Sequence, residues 1–165
     1  MFKLIKDGNF VFDEWKTLTL AEGESPEFVR LPVGPLLVPL SVWKARRTEL
    51  IHREYEHSWQ LGVWLSAEED VNEIAGDIDD FSVIAVVFDK FKDGSSYTIA
   101  KSLRERYGYS GELRAIGDIP GDRIAYQHQV GFNAFAVRAS RKISAVISGF
   151  DSVADRQHND KLVIA

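Results

Sequence analysis

No cysteine occurs among the 165 residues of the chain. That absence excludes disulfides, thiolate nucleophiles, and zinc or iron–sulfur centres ligated by cysteines of this chain. Long apolar runs are missing too. The longest, residues 31–40, is interrupted by Pro32, Pro35 and Pro39 and is far shorter than the ~20 residues a membrane helix needs. Positive charge is in deficit: 20 Lys and Arg against 25 Asp and Glu leave a net charge of −5. This balance opposes nonspecific attraction to nucleic-acid phosphates or anionic lipid. Residues 1–10 place charges on both sides of a very short apolar group, so no signal-peptide core can be drawn there and a cytoplasmic location is expected. His52, His57, His128 and His158 show no metal-ligand spacing, and HExxH, GxSxG and GxGxxG patterns are all missing. The expectation is therefore no metal, no cofactor, and neither a nucleic-acid nor a membrane partner.

What is present is ordinary globular material. Hydrophobic residues make up 45% and charged residues 27%, enough to bury roughly two-thirds of the unfolded chain's surface in one core. A single domain over 1–165 is expected. Residues 1–40 would form a hairpin and a proline-rich connector, 41–150 a βα core, and 151–165 a polar tail. The Asp7-Gly8 turn dipeptide between Leu4, Ile5 and Phe10, Phe12 predicts the hairpin over 3–15. Four of the five prolines lie in 21–39, which predicts an irregular wrap.

Beyond Ser41 the pattern alternates. A helix is expected from Ser41 to about His52, and a buried strand over 61–65. A second helix is expected to open at Ser66, with Glu69 completing a capping box and Val71, Ile74, Ala75 and Ile78 as its apolar face. VIAVVF, 83–88, reads as a central strand covered on both faces. A helix carrying Tyr97, Ile99, Ala100, Leu103 and Tyr107 would stop at Gly108. A strand over 113–116, a loop over 117–121, a helix over 124–130 closed by Gly131, and a strand over 134–137 complete three βα steps. Residues 143–147 would add a helix or strand, and 162–164 an edge strand. The fold class expected is α/β: a mostly parallel sheet built from consecutive βα units with right-handed crossovers, preceded by the hairpin and wrap.

In such sheets ligands sit at the loops beyond the strands' C-terminal ends. The loop after VIAVVF carries Asp89, Lys90, Lys92, Asp93, Gly94, Ser95, Ser96, Tyr97 and Thr98. It reads either as an oxyanion cradle or as an Asp93-Gly94 turn with Ser95 or Ser96 capping the next helix. In the loop Gly117 to Asp122, the carboxylates of Asp118 and Asp122 could bind a divalent cation or share acid/base work, or Asp122 could be an ordinary N-cap, the reading that outweighs the metal. Residues 138–141 form the last such loop. Arg104, Arg106, Tyr107, Tyr109, Glu112 and Arg114 lie between. Arg114, inside an expected strand, must meet a carboxylate such as Glu112 or Asp118, or an anionic ligand. Asp93, Arg114, Asp118 and Asp122 are the catalytic candidates. Trp43, Trp59 and Trp64 read as core or as anchors of a homodimer.

The motifs GVWLSAEEDV at 62–71, FKDGxxY at 91–97, LRERYGYSGELRAIGD at 103–118 and GFxAF at 131–135 resemble a bacterial domain-of-unknown-function family labelled as an oxidoreductase of sulfite reduction. The resemblance implies placement beside sulfite reductase and other sulfate-assimilation genes, the activity itself being unestablished. It carries over Asp93, Gly94, Tyr97, Leu103, Arg104, Tyr109, Gly111, Glu112, Arg114, Gly117, Asp118, Asp122, Gly131 and Phe132. This chain departs from the family at Ser95 and Ser96 (arginine and glycine there), at Arg123 (glutamine) and at Gln129 and Val130 (arginine and cysteine). Any chemistry on that arginine or cysteine is lost here. The resemblance implies an accessory or regulatory protein of sulfite reduction, in contact with the reductase or its electron donor. The competing expectations are an enzyme or a small-oxyanion-binding domain with its pocket at the strand ends, and a structural homodimer.

Overall fold

A computed structural model describes residues 2–89, 93–119 and 123–138. The elements run β1 (Phe2–Lys6), β2 (Asn9–Val11), β3 (Lys16–Thr17), β4 (Leu36–Pro39), α1 (Leu40–His57), β5 (Leu61–Leu65) and β6 (Val83–Phe88). Then follow α2 (Asp93–Lys101), β7 (Glu112–Gly117), α3 (Ile124–Val130) and β8 (Ala134–Arg138). The eight strands form one sheet in the order β2-β1-β8-β7-β6-β5-β4-β3. From β3 to β8 all neighbours are parallel, whereas β1 is antiparallel to both β2 and β8. The α/β class, the parallel βα units and the N-terminal hairpin are as the periodicity implies.

The sheet curls, and chain length shows why. β2 and β3 are opposite edges, yet only residues 12–15 join them. Eight strands laid flat at ~4.8 Å spacing would separate those edges by about 34 Å, whereas five residue steps span at most roughly 18 Å. The edges must therefore bend toward each other. The joining strap crosses one face of the sheet, where Trp15 lies close to Gly62 and joins Leu37, Val83, Ala85, Trp64 and Ile116 in a small apolar cluster. That face is the concave one.

The main core lies on the convex face, where Leu36, Val38, Val63, Ile84, Val86, Phe88, Leu113 and Phe135 meet the helices. β6 is buried along almost its whole length, in keeping with its unbroken apolar sequence. Trp43 is buried in an edge-on contact with Phe81, 4.7 Å between ring centroids. The Trp64 indole N–H donates to the Leu18 carbonyl at 2.8 Å. Both rings serve the interior.

Four local expectations need correction. The proline-rich connector contains a fully buried strand, β4, between β3 and β5. Its prolines mislead because Pro35 precedes the strand and Pro39 ends it, where Pro39 also serves as the N-cap of α1. β3 is only two residues long and too short for any periodicity. α1 continues to His57, across a non-helical Arg46 (φ −132°), and stops at left-handed Ser58. The helix expected from Ser66 is replaced by two 3-10 turns, Val71–Ile74 and Ile78–Asp80. Glu69 does accept the Ser66 N–H at 2.8 Å. However, Asp70 then caps Asn72, and Gly76 with the crowded Asp77, Asp79 and Asp80 gives weak helix propensity.

Candidate functional site

The loops beyond the C-terminal ends of β5 and β6 bound a cleft of about 560 Å³. One wall is Ala67, Glu69, Asp70, Val71 and Asn72; the other is the exposed stripe Gly94, Ser95, Thr98, Ser102 and Arg106, with Ile99 at its base. The stripe arises because α2 begins at Asp93, earlier than the sequence suggests, so that Gly94, Ser95 and Ser96 form its first turn and Asp93-Gly94 is not a separate turn. Short polar residues suit a helix start, where backbone N–H groups lack partners. Ser96 is no cap: it is fully buried, and its hydroxyl donates to the Val87 carbonyl at 2.8 Å, fastening the helix to β6. Tyr97 sits between rings, edge-on to Phe88 at 5.2 Å and to Tyr126 at 4.8 Å.

α2 leads into a π-helical turn, Ser102–Arg106, in which Tyr107 N–H reaches back to the Ser102 carbonyl at 3.1 Å. Gly108 (φ +66°) then ends the helix as expected. The wider turn aims Arg104 inward, where its Nε donates to Gly131 O at 2.9 Å and its Nη1 to Tyr109 O and Gly111 O, both at 2.8 Å. Burial lowers the Arg104 pKa from its ordinary value. Its role is to staple together the loops that precede β7 and β8. Tyr109 is buried, with its hydroxyl 3.0 Å from Phe81 O and 3.3 Å from Glu112 O. Burial raises its pKa well above the usual phenol range, so it stays neutral.

A third group sits on the concave face. Arg114 is 2% exposed. Its Nε and Nη2 donate to one Glu112 oxygen at 2.8 and 2.7 Å, as the sequence anticipates. The other Glu112 oxygen meets Lys6 Nζ at 3.1 Å. Arg114 Nη1 lies 3.3 Å from both carboxylate oxygens of Asp13 on the strap. By strand register Arg114 is flanked by Ala85 and Ala134, whose small side chains leave room for the guanidinium.

The candidates thus separate into three places. Gly94 and Ser95 line the cleft, Arg104 and Tyr109 hold loops at the opposite end of the strands, and Glu112 and Arg114 face the concave side. Gly117 (φ +95°) makes the close turn after β7, where a Cβ would come within 2.5 Å of Phe88 O; the Asp118 N–H donates to that same oxygen at 2.9 Å. Asp122, Lys90, Lys92, the 139–141 loop residues and the expected elements at 143–147 and 162–164 lie outside the described residues. Among the described residues no group of three or more His, Asp or Glu is arranged to hold a metal, and no helix is long and apolar enough to cross a membrane. Sequence reasoning missed Asp13, Lys6 and Asn72, whereas Arg106, one of the interleaved charges of 103–114, lines the cleft. Asp13 lies 101 residues from Arg114 in the chain, so no local pattern links them.

The model of a bacterial protein family of unknown function, DUF934, matches residues 62–161. The matched stretch runs from β5 through β8 and contains both walls of the cleft, the Arg104 staple and the Glu112–Arg114 pair. No curated protein matches the chain.

Proposed function

We propose an accessory or regulatory role in assimilatory sulfite reduction for this chain, which belongs to the DUF934 family of bacterial proteins of unknown function. The reading combines the motif resemblance with one observation: the charged groups best placed for chemistry are engaged in holding the fold. Arg104 is spent on three backbone carbonyls, Arg114 is oriented by two bonds to Glu112, and Tyr109 is a buried, neutral phenol. Groups tied down in this way brace a scaffold, and a scaffold acts through its surface. The contact would be with sulfite reductase or its electron donor. The test is an affinity pulldown of the tagged protein from cells of its source grown on sulfate, read by mass spectrometry. Near-stoichiometric recovery of the reductase or its donor is the expected result. Recovery of neither, together with unchanged growth of a deletion strain on sulfate relative to cysteine, would overturn the proposal.

A second reading is favoured by the cleft. Its hydroxyls at Ser95, Thr98 and Ser102, with Arg106 at the far end, suit a small polar ligand such as an oxyanion or a sugar phosphate. Calorimetry with sulfite, sulfate and sugar phosphates tests it, and absence of heat at millimolar ligand removes it.

A further inference from the structure

The Asp13–Arg114 contact differs from the others around this arginine. Charge-assisted N–H···O bonds ordinarily measure about 2.7–2.9 Å, and the two bonds from Arg114 to Glu112 do, at 2.8 and 2.7 Å. Asp13 instead stands 3.3 Å from Nη1 through both of its oxygens. Glu112 is fully committed, one oxygen to Arg114 and the other to Lys6. Arg114 Nη1 is therefore the one edge of the guanidinium whose carboxylate partner is long and comes from outside the sheet. Asp13 is carried on the strap and is about one-third exposed, and Lys6 is also partly exposed. With Asp13 in place the four charges cancel. With Asp13 withdrawn, Lys6 and Arg114 face Glu112 alone, and these three side chains carry one uncompensated positive charge, with Arg114 beside Ala85 and Ala134.

We propose that Arg114, backed by Lys6, is a binding site for a small oxyanion within the curl, and that the carboxylate of Asp13 occupies it as an internal competitor. An oxyanion of sulfate size would take the place of that carboxylate against Nη1 while Glu112 continues to orient the guanidinium. The strap reports the exchange, because the Trp15 N–H donates to Asp13 Oδ1 at 3.1 Å and the Trp15 ring rests on the concave apolar cluster. A competitor that fills the site most of the time lowers apparent affinity by the fraction of time the site is vacant. Removing the competitor's charge should therefore tighten binding. This inference does not rest on the accessory reading and uses a different part of the molecule from the strand-end cleft.

The test uses the full chain labelled with 5-fluorotryptophan, titrated with sodium sulfate at ionic strength held constant with chloride and followed by fluorine NMR. Trp15→Phe identifies the Trp15 resonance among the four tryptophans. The expected result is a saturable shift confined to Trp15, with a Kd at least fivefold lower in Asp13→Asn than in the wild type. Asp13→Ala provides a second measurement, because its thermal midpoint should rise on adding acetate at constant ionic strength whereas that of the wild type should not. Equal affinity in wild type and Asp13→Asn, a linear shift shared by all four resonances, or no acetate effect on Asp13→Ala would each overturn the proposal.

Discussion

Replacing Arg104 with alanine is the sharpest test of how the segments after α2 are held. The guanidinium donates to three carbonyls at 2.8–2.9 Å, and its stem passes so close to Gly131 that a Cβ there would lie 2.5 Å from Arg104 Cγ. Hydrogen bonds from a charged donor contribute roughly 1.5–3 kcal/mol each. They will not sum fully, because half-buried carbonyls regain some water once the side chain is gone. A loss of about 3–5 kcal/mol follows, and at roughly 2–4 °C per kcal/mol for a chain of this size the thermal midpoint should fall on the order of 10 °C. Urea denaturation should show a lower midpoint with an unchanged slope. Arg104→Lys keeps the charge but has one nitrogen in place of a planar fork, so it should recover less than half of the loss. A destabilisation below about 1 kcal/mol in Arg104→Ala would refute the staple, since three made bonds cannot be that cheap to break.

Glu112→Gln leaves the buried Arg114 with only the longer Asp13 contact, and breaking a buried pair from one side costs about 3–5 kcal/mol; equilibrium unfolding should report a loss of that order. Gly117→Ala forces an L-residue to φ +95° against a backbone oxygen already bonded to Asp118 N–H. The left-handed conformation alone costs about 1–2 kcal/mol, so a total above about 2 kcal/mol is expected, and a neutral result in chemical denaturation would contradict the turn. His128 has its pKa lowered by burial, an effect partly opposed by Asp7. The folded state thus resists a proton that the unfolded chain accepts near pH 6.5. Stability from this residue is complete above pH 6.5 and declines as pH falls through that value toward the lower folded pKa. His128→Gln should flatten this part of the stability–pH curve.

Features whose physics is local were legible along the chain. An unbroken apolar run rich in β-branched residues made β6 a two-sided central strand, Asp7-Gly8 made the hairpin turn, Gly108 and Gly131 ended their helices, and α3 has the span expected before Gly131. A charged Arg114 inside a strand required a partner; the sequence offered Glu112 or Asp118, and the structure selects Glu112, two residues earlier on the same face. Other features depended on burial and on chain separation. β4 hides among prolines because a four-residue strand is stabilised by its parallel neighbours on both sides and not by its own propensity. The helix expected after Ser66 failed because its capping box could form while a run of acidic residues and Gly76 left nothing to propagate it. The curl of the sheet emerges at the level of the fold, since the brevity of the strap constrains nothing until the strands it joins are known to be opposite edges. The same closure brought Asp13 to Arg114. Contacts between residues so far apart in the chain are selected by the packing of the whole sheet, and no periodicity records them.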